Sequence, residues 1–259
     1  MKLFKYLSAA REDFFELRLL RLTQPYLLND PFECAPHIPA ATSPDPSDAL
    51  VRGVQRDLSI PLEQAKDVSQ GLFRLLGEKF AVAQQELHPK YLSKRYGILS
   101  LTERPDSLTM WAHYAQHHEG FVVGLDAEHP FVRQLRGSTN LKDGVLRRVQ
   151  YRTDRPSGDF RRLDPESRFL VKSVEWGDEG EWRAILPLQR ATQVLNREDE
   201  WPVHLLEIPV AAISDIIIGC RSRLSPGQIA TYLRDVAIHR TSLHREARGW
   251  CGSGRRWRC

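Results

Sequence analysis

Apolar residues recur along this chain in several distinct rhythms, and each predicts an element. Leu3, Phe4, Lys5, Tyr6 and Leu7 form a short run that reads as a strand, and Ser8 is placed to cap a helix whose apolar positions Phe14, Phe15, Leu17, Leu19 and Leu20 return at turn-like spacing. Asn29-Asp30-Pro31-Phe32-Glu33 predicts a tight turn, because Asn and Asp bond their own backbone and Pro blocks continuation. Residues 35–48 are rich in Pro, Ala, Ser and Thr and read as a linker. From Leu62 onward Val68, Leu72, Leu75, Leu76, Phe80, Ala83 and Leu87 keep a helical period, which predicts a helical insertion over residues 46–95 with these side chains as core.

The second half changes period. Residues 97–102, 121–126, 145–152, 181–186, 204–208 and 213–219 are short apolar or alternating runs of strand type. Short helices are predicted between them at residues 107–115, 130–135 and 225–239, the last opened by Ser225-Pro226. Irregular alternation with long connections predicts an α+β fold on a mixed, mostly antiparallel sheet rather than a doubly wound parallel one.

With 259 residues and 41% hydrophobic content the chain can bury a full core, read as one domain over residues 1–242 that carries the insertion. Its apolar runs, such as residues 211–219, fall well short of the roughly 20 residues a membrane span needs, so no membrane partner is expected. The start, Met1-Lys2-Leu3-Phe4-Lys5-Tyr6, lacks the apolar stretch and small-residue cleavage site of a secretory signal, which predicts a cytoplasmic location. Cys34, Cys220, Cys251 and Cys259 show no C-x-x-C pair and no repeated spacing, so free thiols are expected. The formal net charge of +4 is concentrated at the end: residues 240–259 hold six Arg against Glu246, and the preceding chain is close to neutral. Residues 243–259 have no helical or strand period. They read as a basic, disordered tail with weak, unspecific affinity for nucleic-acid phosphates, and out-of-frame translation of a GC-rich gene would leave the same pattern.

Candidate chemistry gathers in a few places. Met110-Trp111-Ala112-His113-Tyr114-Ala115-Gln116-His117-His118-Glu119-Gly120 sets aromatic and titratable side chains at one junction before a buried strand, as the wall of a ligand pocket would. His113 and His117 share a helix face, but no third ligand completes a set, and no metal is expected. In Glu179-Gly180-Glu181-Trp182-Arg183 an extended chain puts Glu179, Glu181 and Arg183 on one face, which is either a carboxylate pair beside a guanidinium in a site or an ordinary edge-strand ion pair between Glu181 and Arg183. Ser100-Leu101-Thr102 places two hydroxyls on one face. No G-x-G-x-x-G, Walker loop, H-E-x-x-H or G-x-S-x-G occurs, which removes the commonest nucleotide and hydrolase signatures.

Taken in order, Phe4-Lys5-Tyr6-Leu7, Leu28-Asn29-Asp30-Pro31-Phe32-Glu33, Leu99-Ser100-Leu101-Thr102-Glu103, the block from Met110 to Gly120, Val149-Gln150-Tyr151, Lys172-Ser173 with Trp176, and Glu179-Gly180-Glu181-Trp182-Arg183 resemble the bacterial family catalogued as domain of unknown function 2971 (DUF2971). More distantly, that family resembles the ADP-ribosyltransferase superfamily, which implies a split-sheet fold and NAD as substrate. The superfamily's Ser-x-Ser/Thr element is matched by Ser100-x-Thr102 and its Glu-x-Glu pair by Glu179-x-Glu181, while Lys5 and Tyr6 stand where a strand-one Arg or His is usual.

The resemblance implies that Glu181 grips the ribose and offsets the positive charge of an oxocarbenium-like state, with Glu179 orienting or deprotonating an acceptor and Ser100 supporting the carboxylate. Lys5 and Tyr6 would hold the adenylate side, Trp111 and Tyr114 would wall the nicotinamide, and His113 would donate to a phosphate or amide. Asn29 and Asp30 would orient a ribose or amide, and Arg183 would complete the binding set. The acceptor would be a protein or nucleic acid, in a toxin or phage-defence setting. A non-catalytic nucleotide- or partner-binding domain on the same fold is the alternative.

Overall fold

The computed structural model describes residues 1–30, 32–37, 48–157, 164, 167–196, 198, 201–243 and 250–252. The first strand, β1 (Lys2–Leu7), forms as expected, and its two faces differ: Leu3 and Leu7 join one core cluster, Phe4 and Tyr6 another. The helix expected after Ser8 is cut short. α1 (Phe14–Leu17) ends where Arg18 turns left-handed (φ 54°), and Leu19 and Leu20 belong to a strand, β2 (Leu19–Leu22). Ser8 makes no side-chain cap.

The insertion is helical, α2 (Asp48–Leu58) followed by α3 (Leu62–Ser93), but Val68, Leu72, Leu75 and Leu87 of its apolar stripe are not core, and the side chains of Leu76, Phe80 and Ala83 lie outside the described ones. Val68, Leu72, Leu75 and Leu87 are 38%, 41%, 49% and 60% exposed. At 32 residues α3 is about 48 Å long. It packs against α2, β3 and the 3-10 turn Pro25–Leu27, where Ser93 Oγ accepts the Tyr26 N–H at 2.8 Å.

There follow β3 (Tyr96–Thr102), α4 (Leu108–Tyr114), β4 (Phe121–Asp126), α5 (Pro130–Gly137), β5 (Val145–Arg148) and β6 (Gln150–Arg152). The remainder runs α6 (Ser167–Leu170), β7 (Val171–Ser173), β8 (Glu181–Pro187), β9 (Gln193–Leu195), β10 (Val203–Glu207), β11 (Ile213–Ile218), α7 (Pro226–Tyr232), β12 (Ala237–Leu243) and β13 (Trp250–Gly252). The run expected as one strand over residues 145–152 breaks at Val149, whose N–H turns to the Glu181 carbonyl. The helix expected over residues 225–239 stops at Tyr232, and Ala237 starts a strand. Within the expected tail, Trp250–Gly252 pairs antiparallel with Thr241–Leu243; residues 244–249 and 253–259 lie outside the described residues.

An eight-stranded sheet, ordered β13-β12-β11-β4-β1-β3-β8-β5, is antiparallel throughout except for β11 beside β12, which accords with a mixed, mostly antiparallel α+β architecture. β2-β10-β9 and β6-β7 form smaller sheets. The large sheet opens at its middle. β1 pairs with β4 over all six residues and β3 with β8 over all seven, yet β1 and β3 meet at one register pair, Phe4↔Thr102. Beyond it Thr23 steps in beside β3, exchanging both main-chain hydrogen bonds with Ile98 at 2.9 and 2.8 Å.

The helix expected through Ala115 ends at Tyr114. Gln116, His117 and His118 then take left-handed φ of 49°, 52° and 70°, so His117 no longer continues the helix face that carries His113. Gly120 closes this turn against the end of β1, where an added Cβ would meet the Leu7 carbonyl oxygen at 2.1 Å.

Candidate functional site

The opening between β1 and β3 is a cleft of about 250 Å³. β1 contributes Phe4, Lys5 and Tyr6, β3 contributes Ser100, Leu101 and Thr102, and α4 contributes Met110 and Tyr114. Arg21, Thr23, Leu27, Leu28 and Asn29 form the side given by β2 and the turn after it, and Glu33, Lys172, Glu179 and Glu181 complete the wall.

The carboxylates converge through two local devices. On β8 the pleat points Glu181 and Arg183 to one face, opposite Thr102 and Ser100 of β3. Glu179 is not on the strand. It ends the 3-10 turn Val174–Glu179, and Gly180, left-handed at φ 53°, reverses the chain so that Glu179 meets the same cluster. Thr102 Oγ1 donates to the Glu179 carbonyl at 2.5 Å and fixes that reversal to β3.

Around them lies a buried ion-pair network. Arg183 grips Glu181 with two bonds, Nε to Oε1 at 2.9 Å and Nη2 to Oε2 at 3.0 Å, and its Nη2 also donates to Glu33. Its Nη1 donates to the Phe169 carbonyl at 2.6 Å. Lys172 Nζ touches all three acids, Glu179 at 2.7 Å and Glu181 and Glu33 at 3.2 Å each, and its ammonium lies 4.8 Å from the Trp176 ring centroid. Tyr114 donates its hydroxyl to Glu179 at 2.7 Å and accepts from Asn29 at 3.3 Å, and Tyr151 accepts the Glu181 N–H at 2.8 Å.

Electrostatics follow from this packing. Burial alone would raise the Glu181 pKa, but the Arg183 guanidinium, then Lys172 and a hydrogen bond from Ser100, hold it at about 2. For Glu33 burial wins over Arg183 and Lys172 and the pKa is raised. Lys172 is pushed well above the usual lysine range: burial works against its charge, and Glu181, Glu33 and Glu179 outweigh it. Lys5 faces the cluster without joining its ion pairs, and burial lowers its pKa to about 8 despite the pull of Glu181 and Glu179. Tyr114 is raised, by burial and by its bond to Glu179.

Of the residues singled out in the sequence, Lys5, Tyr6, Asn29, Ser100, Tyr114, Glu179 and Glu181 share this cleft. Others do not. Trp111 is 1% exposed, donates Nε1–H to the Pro105 carbonyl at 2.9 Å and stands edge-on to Tyr6 at 5.4 Å, so it backs the wall rather than facing the opening. His113 is exposed and absent from the lining. Asp30 binds the Phe32 N–H at 2.9 Å and lines an adjoining hollow of about 710 Å³. Arg183 is fully buried behind Glu181, where its contacts are with carboxylates and a carbonyl and not with the cleft. Sequence reasoning missed Lys172 and Glu33 as members of the site. Both stood in quoted motifs, but nothing local ties Glu33 to a guanidinium 150 positions away.

Residues 110–184, from the third residue of α4 to the middle of β8, match the model of a family described as Protein of unknown function (DUF2971). The match supports the DUF2971 family. It covers the Glu179–Arg183 segment, Lys172 and Tyr114, while β1 and Ser100 lie outside the matched span. No match to this chain was found among curated proteins or solved structures. Among the described residues no group of His, Cys, Asp and Glu could hold a metal ion, and no helix is long and apolar enough to cross a membrane.

Proposed function

We propose that the cleft takes the nicotinamide–ribose end of NAD and breaks its glycosidic bond, passing ADP-ribose to water or to an acceptor on a protein or nucleic acid. The observation that carries this reading is the convergence of Glu179, Glu181 and Ser100, about 80 positions apart in sequence, on the opening between β1 and β3. Loss of nicotinamide leaves positive charge on the ribose C1′, and a fixed anion beside it lowers that barrier. Glu181, held ionised at about 2 and pinned by Arg183, is such an anion. Glu179 takes the proton as the attacking oxygen closes on C1′, and the C1′–N bond breaks with its electron pair leaving on nicotinamide. Lys5, at about 8, is still mostly protonated at pH 7 and can meet a phosphate.

Size supports a divided ligand. At about 250 Å³ the cleft is below the roughly 300–1,000 Å³ of sites that enclose a drug-sized molecule, so it suits the nicotinamide riboside portion. The adjoining hollow of about 710 Å³ shares Leu28, Asn29 and Glu33 with it and can receive the rest. Transfer to a macromolecule would suit a toxin or phage-defence effector.

A second reading, a non-catalytic nucleotide- or partner-binding domain, is favoured by one specific observation. Both Glu181 oxygens already accept bonds, Oε1 from Arg183 and Oε2 from Arg183 and Lys172, which reduces their capacity to hold a ribose hydroxyl. Nicotinamide release from NAD, with and without lysate or nucleic-acid acceptors, separates the two. Catalysis predicts release that falls at least about 100-fold in Glu179→Gln and in Glu181→Gln while NAD still binds. Calorimetric binding of NAD with no release under any acceptor selects the second reading, and neither binding nor release overturns both for NAD.

A further inference from the structure

A second pocket, of about 230 Å³, shares Glu33 and Lys172 with the cleft and none of its other lining residues. Local main-chain pairing brings arginines to it. β6 and β7 run parallel with Arg152 in register with Ser173, so both side chains stand on one face of that small sheet. Past β6 the His37 N–H donates to the Pro156 carbonyl at 2.8 Å, which clamps this segment beside Phe32 and leaves the Arg155 guanidinium 4.9 Å from that ring's centroid. Arg168, on α6, is the third guanidinium of the lining. Arg152 Nη2 donates to the neutral Gln150 side chain at 2.8 Å, Arg155 lies against the Phe32 ring, and neither makes an ion pair among the described residues. Apart from Glu33, the lining acids are Asp30, which accepts the Phe32 N–H, and the exposed Asp154. Three guanidinium groups against these two carboxylates leave the pocket positive.

We infer that this pocket is a second ligand site, which takes the phosphate monoester of a nucleotide. Near pH 7 a monoester carries close to two negative charges on three terminal oxygens, and planar guanidinium groups match such oxygens in pairs. Arg152, Arg155 and Arg168 bind those oxygens. Ser173 Oγ accepts the Glu175 N–H at 3.4 Å, and its own O–H is a further donor to the phosphate. The base goes to Phe32, which lines the pocket and is 60% exposed, because an exposed ring beside a guanidinium is a stacking platform for any base. Size limits the ligand: the pocket is below the roughly 300–1,000 Å³ of sites that enclose a drug-sized molecule, so it suits a phosphate with its ribose and excludes a dinucleotide. NAD has no monoester, both its phosphates being bridged, so this ligand is distinct from the one proposed for the cleft. A free mononucleotide and the phosphorylated end of a nucleic-acid strand present the same group.

The test is calorimetry on the full chain with AMP, with adenosine, and with one oligonucleotide carrying or lacking a 5′-phosphate. Loss of the phosphate is expected to weaken binding at least about tenfold, since hydrogen bonds to a charged group are lost. Arg152→Gln is expected to weaken AMP by at least about tenfold as well, with its melting temperature unchanged because an exposed side chain is altered. Arg152 lines neither the cleft nor the hollow adjoining it, so this variant separates the pocket from the site proposed for NAD. Tighter binding of AMP than of the phosphorylated strand, or the reverse, supports the inference and identifies the source of the monoester. No binding of either at millimolar concentration overturns it. So does adenosine bound as tightly as AMP, AMP affinity undiminished in Arg152→Gln, or a phosphotyrosine peptide held more tightly than AMP and the strand.

Discussion

Lys172→Met removes the cation that touches all three buried glutamates and keeps nearly the same side-chain length. In the wild type its side chain is 3% exposed, with Nζ at 2.7 Å from Glu179 and 3.2 Å from Glu181 and Glu33, so solvent screens these pairs little. Without it Arg183 still holds Glu181 and Glu33, but Glu179 keeps only the Tyr114 hydroxyl among these partners. Stripping a buried charge of its partner costs about 3–5 kcal/mol. For a chain of this size, at about 2–4 °C per kcal/mol, the melting temperature should fall by roughly 10 °C at pH 7. The wild type itself depends on pH. Glu181, held at about 2, contributes stability that is present above its unfolded pKa of about 4.3 and is lost as pH falls toward 2. Thermal melts of both chains at pH 7 and of the wild type from pH 5 down toward 2, with urea titrations at pH 7, measure this. A variant melting within about 2 °C of wild type at pH 7 would refute the reasoning.

Two further outcomes follow from the geometry. Lys5, lowered to about 8, should acylate with a pH midpoint near 8, against about 10.4 for ordinary lysines, when followed peptide by peptide in a mass spectrometer; a midpoint above 10 would remove the account of Lys5 as a desolvated cleft amine. Gly120→Ala would drive a Cβ to 2.1 Å from the Leu7 carbonyl oxygen and 3.0 Å from Ser8 Cα, main-chain atoms that cannot retreat, at a cost of more than about 3 kcal/mol. Gly71→Ala, in α3 with nothing within 4 Å, should instead stabilise by about 0.5–1 kcal/mol, and denaturant midpoints of equal size for the two variants would contradict the packing described.

How much of this was legible in the chain varies by element. β1, β3, β4, β8 and β11 carry apolar runs long enough to fix their type, and the pleat alone put Glu181 and Arg183 on one face. Where neighbouring runs abut, the period misleads. Phe14 to Leu20 has helical spacing, yet one left-handed residue, Arg18, divides it into a turn of helix and a strand, and no local signal marks Arg18. The segment from Ala237 to His239 falls inside the helix that Ser225-Pro226 is expected to open. It becomes a strand because β11 offers a free edge, to which Ala237 through Arg240 pair in parallel, a long-range circumstance. On α3 the helical period was correct, but for Val68, Leu72, Leu75 and Leu87 the inference of a core face was not: periodicity reveals a face and is silent about whether anything covers it. The site divides in the same way. Ser100, Glu179 and Glu181 are legible as short motifs, whereas the role of Lys172 depends on β7 meeting Glu33, from far back in the chain, as well as the nearby Glu179 and Glu181, which only folding decides.

The wedge between β1 and β3 is a property of connectivity rather than of side-chain size. Thr23 holds the main-chain groups of Ile98, which the Phe4↔Thr102 register would set opposite Ser8, so the chain after β2 wedges the far end of the gap whatever side chains line the cleft. Such an architecture separates the existence of a recess from its content. Lys5, Ser100, Tyr114 and their neighbours are free to drift, each changing what the recess accepts, without the loss of the recess itself. Related chains that share this strand order are therefore expected to hold a cavity in the same place and to differ in the ligand they admit, and comparing their wall residues is a direct route to sorting them by substrate.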